Sequence, residues 1–232
     1  MKVIESERLA FLDGVAEEKT LHTVASMEAR GWGTNNSDFE AYCVDLALPD
    51  YPQGFAGIVE EAIGKNPNNV GMDLAGGSDG IALQDLLRDG ILGTAIVTNY
   101  EDRRTSETKQ NKRLLHIAGD LVKRSTWEDI IYSQKKHAPD GLALVMHRPV
   151  GGLQNLRPAI YRNAAHLLLD MTRSGGVLFL QIPDALIAWT AKLELDIICA
   201  SIESRDDIER IIPSYIYPGA LPILDSVVIV KR

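Results

Sequence analysis

A chain of 232 residues, 45% hydrophobic and 24% charged, can bury one sizeable core and has neither the charge blocks nor the apolar poverty of a disordered chain. Its formal net charge of −8 argues against a surface that grips a nucleic-acid backbone by counterion release, and points to a small-molecule substrate or a protein as partner. Two cysteines, Cys43 and Cys199, indicate no disulfide framework, and the polar N-terminus and the lack of any apolar run near ~18 residues make the cytoplasm the expected location, with no membrane partner.

Residues 1–69 do not alternate regularly, and carry Gly31-Trp-Gly-Thr-Asn-Asn-Ser37 and the turn Pro49-Asp-Tyr-Pro52, which predicts a helical N-terminal extension or cap. Its last helix is expected over Phe55 to Ile63, ending at Gly64, with Lys65-Asn-Pro-Asn-Asn69 as the polar loop that follows. From residue 70 to 232 short apolar runs alternate with longer amphipathic ones, the pattern of an α/β domain with a buried, mostly parallel sheet. Strands are expected at Val70 to Leu74, Thr94 to Thr98, Leu114 to Ala118, Leu142 to Met146, Val177 to Gln181, Ile197 to Ile202 and Ser226 to Val230. Cys199 falls inside the sixth of these.

The basic run Arg103, Arg104, Lys109, Lys112 and Arg113 contains no aromatic residue on which bases could stack, and is expected to be a solvated helix face. Ser125-Thr-Trp-Glu128 has capping-box spacing and predicts a helix start there. Between Pro158 and Thr172 the residues Ile160, Ala164, Leu167, Leu168 and Met171 recur at helical spacing, so one stripe of a helix faces the sheet and Ser174-Gly175-Gly176 is expected to stop it. The sequence contains no internal repeat.

The passage with the most chemical content is Val70-Gly-Met-Asp-Leu-Ala-Gly-Gly-Ser-Asp-Gly80. An acidic residue near the end of a strand, then small residues and a helix, allows close approach of backbone to a ligand and offers the free N–H groups of the helix start. Ala75 to Gly80 also fits the dinucleotide spacing G-x-G-x-x-G with its first glycine replaced. A pyrophosphate near Asp73 and Asp79 would meet like charge, whereas a cationic ligand would be attracted.

Four passages together resemble the class I S-adenosylmethionine (SAM) dependent methyltransferases over residues 70–232. Val70-Gly-Met-Asp-Leu-Ala-Gly-Gly77 is similar to the family's first strand and glycine-rich loop, and Ile117-Ala-Gly-Asp-Leu121 to the Gly-Asp pair after the third strand. Pro139-Asp-Gly-Leu-Ala-Leu-Val-Met146 resembles the fourth strand, and Thr172-Arg-Ser-Gly-Gly-Val-Leu-Phe-Leu180 the turn into the fifth. Asp225-Ser-Val-Val-Ile-Val-Lys-Arg232 is similar to the family's final, antiparallel strand. The resemblance implies a Rossmann-like fold with a seven-stranded, mostly parallel sheet whose last strand is antiparallel, and SAM as cofactor. It places Asp73, Ala75, Gly76 and Gly77 at the methionine part of SAM, and Asp120 with the backbone N–H of Leu121 at adenine. Two positions depart from the pattern: Ala75 stands where glycine is common, and Thr98-Asn99 where an acidic residue binds both ribose hydroxyls. Asn99 can donate and accept hydrogen bonds but lacks a carboxylate's charge, so Glu101 or Asp102 would have to reach back.

Methyl transfer from a sulfonium is an in-line displacement, in which alignment matters most and a base is optional. His147, directly after the fourth strand, is the catalytic candidate for taking a proton from a hydroxyl or amine acceptor, with a structural or cofactor-contacting role as its alternative. His116 lies in an apolar run and is expected to be a hydrogen-bonded core histidine, while His22, His137 and His166 are assigned no role. Trp127 is expected to anchor packing or lie on adenine. Trp32, Tyr42 and Tyr51 are candidates for substrate contact, and Arg148 for an anionic acceptor. No cysteine or histidine spacing suggests a metal. The expected function is methyl transfer from SAM to a small-molecule acceptor. A non-catalytic methyltransferase-like binding or dimerisation protein and a NAD-dependent oxidoreductase are the alternatives, and a homodimer is an open expectation.

Overall fold

The apolar runs after residue 69 pair into one seven-stranded sheet in the order β3-β2-β1-β4-β5-β7-β6. Its strands are β1 Val70–Leu74, β2 Thr94–Asn99, β3 Leu114–Ala118, β4 Leu142–His147, β5 Thr172–Pro183, β6 Ile208–Ser214 and β7 Leu224–Lys231. The helices are α1 Gly54–Ile63, α2 Ile81–Arg88, α3 Ser106–Gln110, α4 Arg124–His137, α5 Pro158–Met171 and α6 Ala188–Glu203, with a short 3-10 turn at Ala10–Leu12. This computed structural model describes residues 9–12, 39, 54–74, 77, 79–147, 158–183, 188–214 and 224–232.

β1 runs parallel to β2 and β4, β2 to β3, and β4 to β5, whereas β7 is antiparallel to both of its neighbours, β5 and β6. This is the Rossmann-like methyltransferase fold. Successive strand residues point to opposite faces, so each strand feeds two cores. On one face Phe55 and Ile58 of α1 and Leu83 and Leu86 of α2 pack on Val97, Met146, Phe179 and Val228. On the other face Trp127 and Ile130 of α4, Leu168 of α5 and Ile198 of α6 pack on Met72, Ile96, Val145 and Leu178. Each large apolar side chain buried in this way stabilises the fold by roughly 1.5–3 kcal/mol. Leu9 and Leu12 join the second core and α1 the first; most of the expected N-terminal extension, with Cys43 and His22, lies outside the described residues.

Four sequence expectations are corrected by the structure. Ile197 to Ile202 is not a strand but the last part of α6, and Cys199 is a buried helix residue; Leu195, Ile198, Cys199 and Ile202 are its inward stripe. The sixth strand is instead Ile208–Ser214, at the sheet edge, where an exposed Pro213 is tolerated. Ser174-Gly175-Gly176 does not stop α5. It forms a bulge inside β5, with Leu142 pairing Thr172 and Leu144 pairing Val177. The end of α5 is closed by other groups: Thr172 Oγ1 donates to Leu168 O at 2.8 Å, and Lys231 Nζ donates to Leu169 O at 3.1 Å and to Thr172 O at 2.9 Å.

The capping box at Ser125 does not form either. Lys123 is the N-cap of α4 and gives no side-chain cap. Asp120 supplies the acceptors before it, its Oδ1 taking Val122 N at 3.1 Å and its carbonyl taking Lys123 N at 2.9 Å. The basic run is mostly loop and turn around the five-residue α3; Arg103 and Arg104 fold back on Glu101 and Asp102, and Arg113 Nη1 donates to Leu87 O at 3.3 Å.

Candidate functional site

The chain leaves β1 towards β2 and β3 on one side and returns to β4 on the other, which opens a crevice at the C-terminal ends of β1 and β4. Strand register defines two rows of side chains there. Val97, Asp73, Met146, Phe179 and Val228 share the face of α1 and α2, with His116 of β3 paired beside Val97, and Asp73 is the one carboxyl group in that row, fully buried. Thr98, Leu74, His147, Leu180 and Val227 share the opposite face. Asp73 and His147 therefore leave the sheet in opposite directions.

The loop after β1 is shaped by what it must approach. Gly77 is buried with φ +94°, and Gly80, the N-cap of α2, has φ +56°. A Cβ at Gly80 would lie 2.6 Å from Val97 Cγ2, so only glycine lets α2 start this close to β2. Two ties join the loop to the end of β2 and to the segment that follows it. Asn99 Nδ2 donates to Gly77 O at 2.9 Å, and Thr105 N donates to Asp79 Oδ1 at 2.8 Å. Gln84 Nε2 donates to Asp79 O at 2.8 Å from inside α2. Sequence reasoning assigned Thr105 no role; its placement depends on a contact spanning 26 positions. Ala75, Gly76, Arg148, Trp32, Tyr42 and Tyr51 lie outside the described residues.

On the other side of β2, Gly119 N donates to Asn99 O at 2.8 Å. A side chain at Gly119 would collide with Thr126, so α4 can start directly beneath this turn. Asp120 follows, 5% exposed, and Trp127 Nε1 donates to Leu121 O at 2.6 Å. Trp127 is wholly buried and is a packing anchor.

Glu101 and Asp102 do not reach back to Asn99. Arg103 Nη2 binds Glu101 at 3.1 Å and Arg104 Nε binds Asp102 at 2.9 Å, and the Arg104 hydrogen bond holds the Asp102 carboxyl below the usual carboxylate range. His147 is completely buried, and desolvation pushes its imidazole down to about 3. It is neutral throughout the physiological range. His116 corrects its expectation: it is half-buried on the edge strand β3, its Nε2 makes no hydrogen bond, and burial lowers its pKa while Asp102 opposes the shift. Among the described residues no group of three or more His, Cys, Asp or Glu could hold a metal ion, and no helix is long and apolar enough to cross a membrane.

No protein-family model and no curated protein matches the chain. Solved structures do resemble it in fold. An N-methyltransferase, NodS from Bradyrhizobium japonicum WM9 in complex with S-adenosyl-L-homocysteine, is 12% identical with a TM-score of 0.48, over 76% of this chain and 85% of NodS. An rRNA methylase from Streptococcus thermophilus is 12% identical with a TM-score of 0.47, over 78% and 96% of the two chains. Spermidine synthase from Thermotoga maritima is 11% identical with a TM-score of 0.46, over 75% and 58%.

Proposed function

We propose that this chain is a SAM-dependent methyltransferase that binds its cofactor across the ends of β1, β2 and β3 and methylates a small-molecule acceptor. The observation that carries the proposal is the buried Asp73 side chain between Val97 and Met146 at the switch-point crevice, followed by a loop with Gly77 and Gly80 at positive φ. A pyrophosphate would be repelled by the Asp73 charge; the ammonium and sulfonium of SAM would be attracted.

Asp73 and the Gly77 loop would hold its methionine part, Asn99 would face its ribose, and Asp120 with the N–H of Leu121 would address adenine. Bound SAM supplies an electrophilic methyl group. The protein's own part is to align the acceptor with that group and to keep water out, which needs no charged catalyst. His147, wholly buried on the face opposite Asp73, is proposed as a structural or cofactor-contacting group at the end of β4 rather than as the catalytic base. Its neutral form is the one present at pH 7, but a conjugate acid near 3 gives it little power as a base. The preference for a small acceptor over nucleic acid rests on the net charge of −8.

Isothermal calorimetry with SAM, S-adenosylhomocysteine and NAD tests the cofactor assignment. Binding of the two sulfur nucleosides at micromolar concentration is expected, without binding of NAD. Tight NAD binding, or no binding of any adenosine ligand, would discard it. Mass-spectrometric detection of methyl transfer to pooled small metabolites, against pooled RNA as control, tests the acceptor class.

A further inference from the structure

Asn99 occupies the position where an acidic residue would take both ribose hydroxyls, and the obvious interpretation is a weakened copy of that acid. Its hydrogen bonds say otherwise. Nδ2 donates to Gly77 O at 2.9 Å, and the Asn99 carbonyl receives Gly119 N at 2.8 Å. One residue thereby connects the loop after β1 to the turn that carries Asp120. A carbonyl oxygen can be faced only by the NH₂ of the carboxamide, so the Gly77 bond also fixes which way the amide is turned. Gly77 O receives Gly80 N as well, at 3.3 Å, and is a pure acceptor with two donors arranged around it.

We infer that Asn99 is a positioning residue that sets the separation of the methionine and adenine ends of the cofactor site, and that its carboxamide is required because a carboxylate cannot make the Gly77 bond. The inference rests on the proposed cofactor assignment for its ligand, but not for its geometry. An ionised carboxylate in this place would set two acceptors against each other and push the loop away. Asn99 Oδ1 then remains as a single, uncharged acceptor for the ribose, in place of the two oxygens of an acid. Glu101 and Asp102, the carboxylates that follow in sequence, are held by Arg103 and Arg104 and do not restore the missing pair.

The test compares Asn99→Asp and Asn99→Ala with the wild type, by calorimetry with S-adenosylhomocysteine at pH 8 and pH 5 and by thermal denaturation of the ligand-free protein. Asn99→Ala is expected to bind about tenfold more weakly at both pH values, the loss of one partly buried hydrogen bond. Asn99→Asp is expected to bind at least as weakly as Asn99→Ala at pH 8, and to recover in part at pH 5, because the Gly77 carbonyl facing the introduced carboxyl disfavours its ionised form, raises its pKa and lets it take up a proton and donate. Its ligand-free melting temperature at pH 8 is expected to fall by about 3 °C. Tighter binding by Asn99→Asp at pH 8, with an unchanged melting temperature, would overturn the inference and make Asn99 a diminished ribose acid after all. Failure of the wild type to bind S-adenosylhomocysteine would instead sink the cofactor assignment. In that case the ligand-free melting temperatures still decide the positioning role, an unaltered value for Asn99→Asp overturning it.

Discussion

Asp79 and Thr105 join the two sides of the crevice: the Asp79 carboxylate accepts the Thr105 backbone N–H at 2.8 Å, while its own carbonyl is held by Gln84. Thr105 is also the N-cap of α3, its Oγ1 accepting Thr108 N at 3.2 Å, so one carboxylate ties the start of α2 to the start of α3. Asp79→Ala leaves the Thr105 amide without its acceptor and is expected to cost about 1–2 kcal/mol, read from urea denaturation. Asp79→Asn keeps an oxygen at the site and is expected to lose less than half as much. Equal losses in the two variants would show that charge, not the hydrogen bond, matters at this position.

Asp73 is expected to act on the charged end of the cofactor alone. Asp73→Asn preserves shape and removes the charge, so affinity for S-adenosylhomocysteine should fall by tenfold or more, while that for adenosine, which has no amino-acid part, should change by less than about twofold. Calorimetry with both ligands gives the comparison. A parallel loss for adenosine would mean that the variant has disturbed the fold.

Gly80→Ala places a methyl group into Val97 at a residue with φ +56°. The expected loss of stability is about 1–3 kcal/mol, combining the strained backbone with the close contact. Pairing it with Val97→Ala should relieve the contact and leave the backbone part. Thermal denaturation of the two single variants and the double variant measures the coupling.

His147 makes a pH prediction of definite sign. Burial lowers its folded-state pKa from 6.5 to about 3, so between these values the unfolded chain binds more protons than the folded one, and stability falls as pH falls. The loss attributable to this one residue is about 2 kcal/mol between pH 7 and pH 5. His116 and His166 are shifted in the same direction, so the measurement is a difference: the stability of wild type minus that of His147→Gln, from urea melts across this range. Asp102 and Asp207, held below the usual carboxylate range by Arg104 and Arg205, give up their contributions at more acidic pH and do not mask the effect. A flat difference curve would place His147 in contact with water or charge.

The sequence by itself determined the sheet wherever a strand reads as an unbroken apolar run between turn residues. β1 to β4 and β7 are located to within two residues, because strands covered by helices on both faces have no polar side to interrupt the run. It also located Asp73, Asn99 and Asp120 at strand ends and α1 up to Gly64. It did not separate α6 from a strand at Ile197 to Ile202. Six apolar or small residues in a row satisfy either period, and only the wider stripe through Leu195 and Ile202 favours the helix. β6 was hidden because an edge strand can carry Glu209, Arg210 and Pro213 without disturbing the core.

What the tertiary structure alone decided are the contacts between residues distant in sequence. Lys231 closes α5 from 62 positions away, a solution no local signal encodes, and so the glycines that looked like a helix stop are free to form the bulge in β5. The same holds at the site. Residue types at strand ends announce a ligand crevice, because polar groups in those places have few other uses. Whether Asn99 faces ribose or the Gly77 carbonyl, and whether His147 is charged or neutral, depends on how strands 20 to 70 residues apart pack side by side, since hydrogen bonding and desolvation are set by neighbours in space.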